Sequence, residues 1–273
     1  MTRRDRTLWE HLSARRLTID GTDFALALHE RDVLTVYLPI AHALSSRLAK
    51  RAGKRLLVGI AGPPGAGKTA TAVSLSALLE EMGEAALVVP LDGFHYPNAY
   101  LDTHEGIGHD GKMHRLRTLK GWHTTFDGER AREALRLLRK GKSLRLPVYS
   151  RTLHDPVEAA LPVGPEHRIL LVEGNYLFLD AGPWRHIREL FDVRIFVAAP
   201  FEVLCAQVAE RHMRGGRSKE EAWRKIAEVD RPNMEAVLPT QGYADITISG
   251  ARGELRMTMA GRGGPTSARQ PAY

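Results

Sequence analysis

The most specific chemistry in this sequence sits in eight residues, GPPGAGKT at 62–69. The spacing suits a loop whose glycines let the backbone wrap with its amides inward. Those amides and the start of the next helix then hold phosphate oxygens. Gly62, Gly65, Ala66, Gly67 and Ala70 fall in the phosphate cradle, Lys68 reaches the β- and γ-phosphates, and the Thr69 hydroxyl ligates Mg²⁺. A chance glycine-rich turn would need neither a strand before it nor a helix after it. Both are expected here: RLLVGIAG (55–62) is a short apolar run, and TATAVSLSALLEEMG (69–83) reads as a helix closed by glycine. Such a loop binds a nucleotide without saying what is done with it. No N-K-x-D guanine-reading segment accompanies it, so adenine is the expected base.

Two acids stand where apolar runs stop. Glu173 ends RILLVEG (168–174), where a carboxylate orients Mg²⁺ or its water; the bland alternative is a strand-end acid facing solvent. Asp92 ends AALVVPLD (85–92), a strand expected to neighbour the one feeding the phosphate loop. An acceptor hydroxyl must lose its proton as phosphoryl transfer completes, and a carboxylate within reach can take it. The alternative is that Asp92 only caps its strand. The residues that follow, GFHYPN, supply a tight turn and side chains for a small polar molecule.

These groups need a frame. Residues 37–50 put Leu38, Ala41, Leu44 and Leu48 on one helical face, and 128–141 is amphipathic at the same period. DVRIFVAAP and ADITISG (244–250) are further strands, and 201–214 and 219–229 read as helices around the turn RGGRS. LRLPVYS and the segment after it read as short strands or loop, and 93–127 has no clean period. Continuous apolar strands alternating with helices predict an α/β fold with a parallel sheet covered on both faces, its ligands at the carboxyl ends of the strands.

Composition narrows the classes. The 273 residues carry 39 Lys and Arg against 32 Asp and Glu, a net charge of +7 spread along the chain. That suits small anions better than a nucleic-acid groove. The lone Cys205 excludes an internal disulfide and fits a reducing cytoplasm. No apolar run approaches a membrane span. Residues 1–16 read as an exposed N-terminal helix rather than a transit peptide, and 261–273 are expected to be disordered.

A family resemblance rests on further motifs. LDGFHYPN resembles the D-G-F-x-Y-P-N segment of type I pantothenate kinases, and PVYS and VLPT are similar to later segments of them. VEGNYLFLDAGPW with DRPNMEAV is closer still to the bacterial nucleoside/nucleotide kinase, or fructose-transport-system-kinase-like, branch. The chain thus resembles the phosphoribulokinase/uridine kinase/bacterial pantothenate kinase group of P-loop kinases over about residues 37–250.

The resemblance implies a three-layer P-loop NTPase fold with a mostly parallel five-stranded sheet, a lid and an acceptor-binding insertion. Its parts would be an N-terminal helical extension (1–54), a kinase domain (55–250, acceptor segment 93–127, lid 211–219) and a tail (251–273). ATP and Mg²⁺ are the implied cofactors, and the activity is phosphoryl transfer to a hydroxyl of a metabolite such as a sugar, a nucleoside or a pantothenate-like acid. Asp92 is then the base, and Lys68 neutralises charge. Arg211, Arg214 and Arg217 form the lid. His95, Tyr96, Asn98, Lys120 and Asn233 face the acceptor, with Asp127 in the same segment; from the residues themselves Arg151 adds positive charge on that side, and Tyr149, Tyr176 and Trp184 either shape the acceptor pocket or serve plain packing.

Two departures lie on the acceptor side. The stretch between LDGFHYPN and KGWHTTFD is long, and Arg151 stands where pantothenate kinases carry histidine. Pantothenate kinase proper and an acceptor-free ATPase or regulator remain the alternatives, and a homodimer is admitted as the assembly. The histidines His95, His104, His109, His114 and His123 are read as loop residues rather than a metal site.

Overall fold

A computed structural model describes residues 28–250 and 253–260, with Trp9, Glu10, Leu12 and the backbone of 16–19 and 22–25. A short antiparallel hairpin, β1 (Arg16–Ile19) and β2 (Thr22–Ala25), precedes the main body. Most of the N-terminal segment read as an exposed helix lies outside the described residues. Within it Leu12 is fully buried, so that face of the segment packs inward.

The central sheet draws on β3 (Leu56–Ala61), β4 (Ala86–Pro90), β9 (Ile169–Gly174), β10 (Val193–Ala198), β11 (Ile246–Ser249) and β12 (Arg256–Met259). Two hairpins lie outside it: β5 (Glu105–Ile107) with β6 (Met113–Arg115), and β7 (Leu144–Ser150) with β8 (Asp155–Val163). The sheet order is β12-β11-β10-β3-β9-β4, parallel except for β12 against β11. It therefore has six strands where five were expected. The sixth is an antiparallel edge strand in the segment read as tail, too polar to be told from loop by pattern. The tail from 261 onward lies outside the described residues.

β4 pairs with β9 and not with β3, so the strand of Glu173, not that of Asp92, lies beside the phosphate-loop strand. Both runs are short and apolar, and nothing local distinguishes the inner from the outer position.

The sheet is covered on both faces because its central strands β3 and β9 are buried along their whole length. Alternate residues point opposite ways. Leu56, Val58 and Ile60 meet α1 (Leu38–Ala49) and α2 (Lys68–Glu81) in one core. Leu57, Leu170 and Val172 meet α3 (Gly128–Arg139) and α4 (Gly182–Arg188) in the other. The predicted stripe Leu38, Ala41, Leu44 and Leu48 is buried throughout. Asp127 caps α3 by accepting from the Arg130 amide at 3.0 Å, a local role that accounts for it without substrate.

Three elements close the carboxyl end of the sheet: α5 (Phe201–Arg214), α6 (Lys219–Lys225) and α7 (Arg231–Val237). Between α6 and α7 the helix widens to a π-helical stretch, Ile226–Asp230. No helix among the described residues is long and apolar enough to cross a membrane.

Candidate active site

The phosphate loop turns from β3 into α2. Gly65 has φ +83°, and a Cβ there would stand 2.8 Å from the Leu204 carbonyl oxygen; at Gly62 one would stand 2.3 Å from that of Val197. Side chains are excluded at both positions because the loop lies directly on β10 and α5. α2 then starts at Lys68 behind a left-handed Gly67, so its free amides face the loop.

Lys68 is buried, and its Nζ donates to the Pro63 carbonyl at 3.0 Å. Burial lowers its pKa to about 8, against the opposing pull of Glu173 and Asp92, while Arg211 pushes it further down. Thr69 Oγ1 donates to Glu173 Oε1 at 3.1 Å, so the adjacency of β3 and β9 joins the loop to the acid.

Asp92 sits two residues beyond β4, in the 3₁₀ turn Leu91–Phe94, rather than on the strand. Its carbonyl meets His95 Nδ1 at 2.9 Å, and the His95 ring lies 3.7 Å from that of Phe126. Burial lowers the His95 pKa, with Asp92 opposing. The tightness of the turn is forced at Gly93, where a Cβ would stand 2.1 Å from the Pro147 carbonyl oxygen.

One cleft of about 220 Å³ is lined by Lys68, Thr69, Asp92 and Glu173, together with His95, Lys120, Tyr149 and Arg151 on one side and Arg211, Lys225 and Asp230 on the other. Basic groups outnumber acids along its walls, which suits a phosphate chain beside a second anion. An acid-flanked lysine on a phosphate loop, facing a carboxylate across a polar cleft, is an arrangement for moving a phosphoryl group.

The family model of the phosphoribulokinase/uridine kinase family matches residues 57–255. The chain belongs to that family. It is an ATP-dependent phosphotransferase with an alcohol group as acceptor. The Escherichia coli K12 protein YggC, itself uncharacterized, is 32% identical over 234 residues, 85% of this chain and 93% of that protein. A pantothenate kinase of Enterococcus faecalis is 27% identical, over 80% of this chain and 81% of that protein. Among solved structures, a candidate fructose transport system kinase from Silicibacter sp. TM1040 is 31% identical. It superposes with a TM-score of 0.67, over 75% of this chain and 94% of that one.

In this kinase the residues expected at the acceptor divide into two groups. His95, Lys120, Tyr149, Arg151 and Asn233 line the cleft; Tyr96, Asn98 and Tyr176 do not. Asn98 acts as a strut: its amide N donates to Asp155 Oδ1 at 2.8 Å, and its Oδ1 accepts from Lys120 Nζ at 2.5 Å and from Arg117 Nη1. Neighbouring Arg115 does not line the cleft and donates to the Asp102 carbonyl at 2.7 Å.

Tyr176 is fully buried behind the wall, its hydroxyl 2.7 Å from the Gly121 carbonyl and 2.8 Å from Asn233 Oδ1. Asn233 Nδ2 donates to the same carbonyl at 3.2 Å. Tyr176 and Asn233 thus hold the turn that follows Lys120. Trp184 is buried in the core beside Tyr176. Of the five clustered histidines only His95 lines the cleft. Burial lowers His123 to about 4, which keeps it neutral.

The three lid arginines also part company. Arg211 lines the cleft and stands 3.7 Å from Asp230. Arg217 supports His212: its Nη1 lies 3.3 Å from Nδ1, which makes Nε2 the donor to Asp230 Oδ2 at 2.8 Å. Arg214 instead pairs with Glu210 at the surface. Sequence reasoning missed Lys225, His212 and Asp230, which line the cleft: Lys225 ends α6, Asp230 ends the π-helical stretch that follows it, and His212 on α5 is bonded to Asp230. The acid in DRPN was the signal that could have found Asp230.

The donor set fits Mg²⁺. A hydroxyl and a carboxylate 3.1 Å apart leave most of the coordination shell to phosphates and water, as this ion prefers. Among the described residues no group of three His, Cys, Asp or Glu gathers as a metal cage.

Proposed function

We propose that the kinase moves the γ-phosphoryl group of ATP to a hydroxyl of a small metabolite that itself carries a carboxylate or phosphate. The observation that carries this reading is the cleft: Lys68 and Thr69 on one side, Lys120 and Arg151 on the other, with Asp92 in the same wall. Lys68 and Arg211 would neutralise charge on the transferring group, and Asp92 would accept the proton of the attacking hydroxyl. Thr69 and Glu173 would hold Mg²⁺, which neutralises phosphate charge when bound. Lys120 donates to Asn98 Oδ1 and to the His154 carbonyl at 2.6 Å, neither of them a carboxylate, and Asp155 and Asp102 act on it only through space, so no direct ion pair competes with an anionic acceptor. Tyr149 lies under that ammonium, 5.2 Å from its ring centre.

The test is ADP formation against a metabolite panel with acidic, phosphorylated and neutral alcohols. Turnover confined to anionic alcohols is expected. Phosphorylation of neutral sugars or nucleosides alone would refute the acceptor class, and ADP release indifferent to any acceptor would leave an ATPase.

A further inference from the structure

The pole opposite the catalytic cleft, where β3 begins, carries a second concavity of about 480 Å³. Apart from two glycines, its lining is Arg51, Lys54, Arg55, Arg136, Arg139 and Lys140. Six cations around one hollow repel one another unless something negative faces them.

The acids nearby fall short. Asp192 is shared, 2.9 Å from Arg51 and 3.2 Å from Arg139, and also accepts from the Leu57 amide at 2.9 Å. Glu133 accepts twice from Arg136, and Glu166 acts on Arg55 through space. Arg55 is buried and donates to the carbonyls of Leu138, Lys142, Gly164 and His167, which satisfies its hydrogens without cancelling its charge. Neither Lys54 nor Lys140 makes a direct ion pair among the described residues; Glu133, already held by Arg136, acts on Lys140 only through space. The carboxyl ends of α1 and α3 reach this pole, and each contributes about half a negative charge, which still leaves an excess.

We propose that this concavity binds a small polyanion, a diphosphate or a multiply phosphorylated metabolite, independently of the catalytic cleft. An anion of two or more charges would supply the missing counter-charge, and guanidinium forks match phosphate oxygens. The hollow of about 480 Å³ lies between the two helix ends, the size of a small-molecule site rather than of a track for a nucleic-acid backbone.

Pyrophosphate is the probe. Since the phosphate loop also takes phosphate chains, equilibrium dialysis at physiological salt is used to count sites. Wild type is expected to bind two equivalents. The double variant Lys54→Glu, Lys140→Glu should bind one, with the melting temperature not lowered, because neither lysine makes a direct ion pair and the change relieves the positive excess. Lys54→Arg, Lys140→Arg should keep both. A single equivalent in wild type, or the same count in wild type and the Glu variant, overturns the proposal. So does a short oligonucleotide whose binding the Glu pair abolishes while the pyrophosphate count stays unchanged.

Discussion

The two halves of the catalytic cleft are made differently. The nucleotide half is a backbone device: a loop, the start of α2, and the side chains of Lys68 and Thr69 that follow within seven residues of its first glycine. The half proposed to hold the acceptor and the lid is a side-chain device. Lys120, Tyr149 with Arg151, and Lys225 with Asp230 come from three separate segments and meet only in three dimensions. Ties such as Tyr176 and Asn233 to the Gly121 carbonyl hold them there. A site made of backbone leaves little to vary, whereas a site made of distant side chains can change acceptor without touching ATP.

The sharpest break of that comparison is Lys68→Ala. An arginine placed on a transferring phosphoryl group is worth about 10³–10⁵-fold, and loss of the Lys68 charge should lower steady-state turnover by a similar order. The fold should not suffer, because the ammonium is buried and contributes one bond to Pro63. Its folded pKa of about 8 lies below the ordinary 10.5, so stability from this group rises with pH between those values and its charge opposes folding below them. A melting temperature that collapses at pH 7 would contradict this account.

Asp92→Asn tests the far wall. Loss of a general base costs about 10²–10⁴-fold in turnover, with ATP affinity and melting temperature retained. Turnover per folded molecule within a few-fold of wild type would mean that Asp92 only shapes its turn, and Glu173 would become the next candidate base.

Tyr176→Phe divides the halves. Removing one partner of a buried hydrogen bond costs about 1–3 kcal/mol, felt here through the turn that carries Lys120. The acceptor KM should rise roughly tenfold on that scale, while the KM for ATP holds. Equal rises in both would show that the two halves are not separable.

Titrating Lys68 probes the same division more gently. The free protein must carry its proton to meet a phosphate, so ATP affinity should be flat up to about pH 8. Above that it should fall, by at most tenfold per pH unit. Lys68→Arg should stay flat, since guanidinium does not titrate in that range. Smallest of all is Arg214→Ala. An exposed pair with Glu210 contributes at most about 1 kcal/mol, and turnover should stay within twofold, whereas Arg211→Ala should lower it by more than tenfold if it meets the transferring group.

What sequence alone determined follows from interactions short enough to be written locally. The phosphate loop, the strand before it and the helix after it are adjacent in the chain, and apolar runs of strand length announced the parallel sheet. Asp92 and Glu173 were legible because each ends such a run. Tertiary structure alone decided that β9 rather than β4 lies beside β3, because hydrogen-bonding partners are chosen among strands of like composition by the whole packing. It also decided which of Arg211, Arg214 and Arg217 enters the cleft. They sit three residues apart, at the end of one helix and in the turn beyond it. Yet Asp230, on a π-helical stretch more than a dozen residues away, draws in Arg211 and His212 and leaves Arg214 to the solvent. A helix's own period can say which side chains share a face; which face meets the site depends on the elements packed against it.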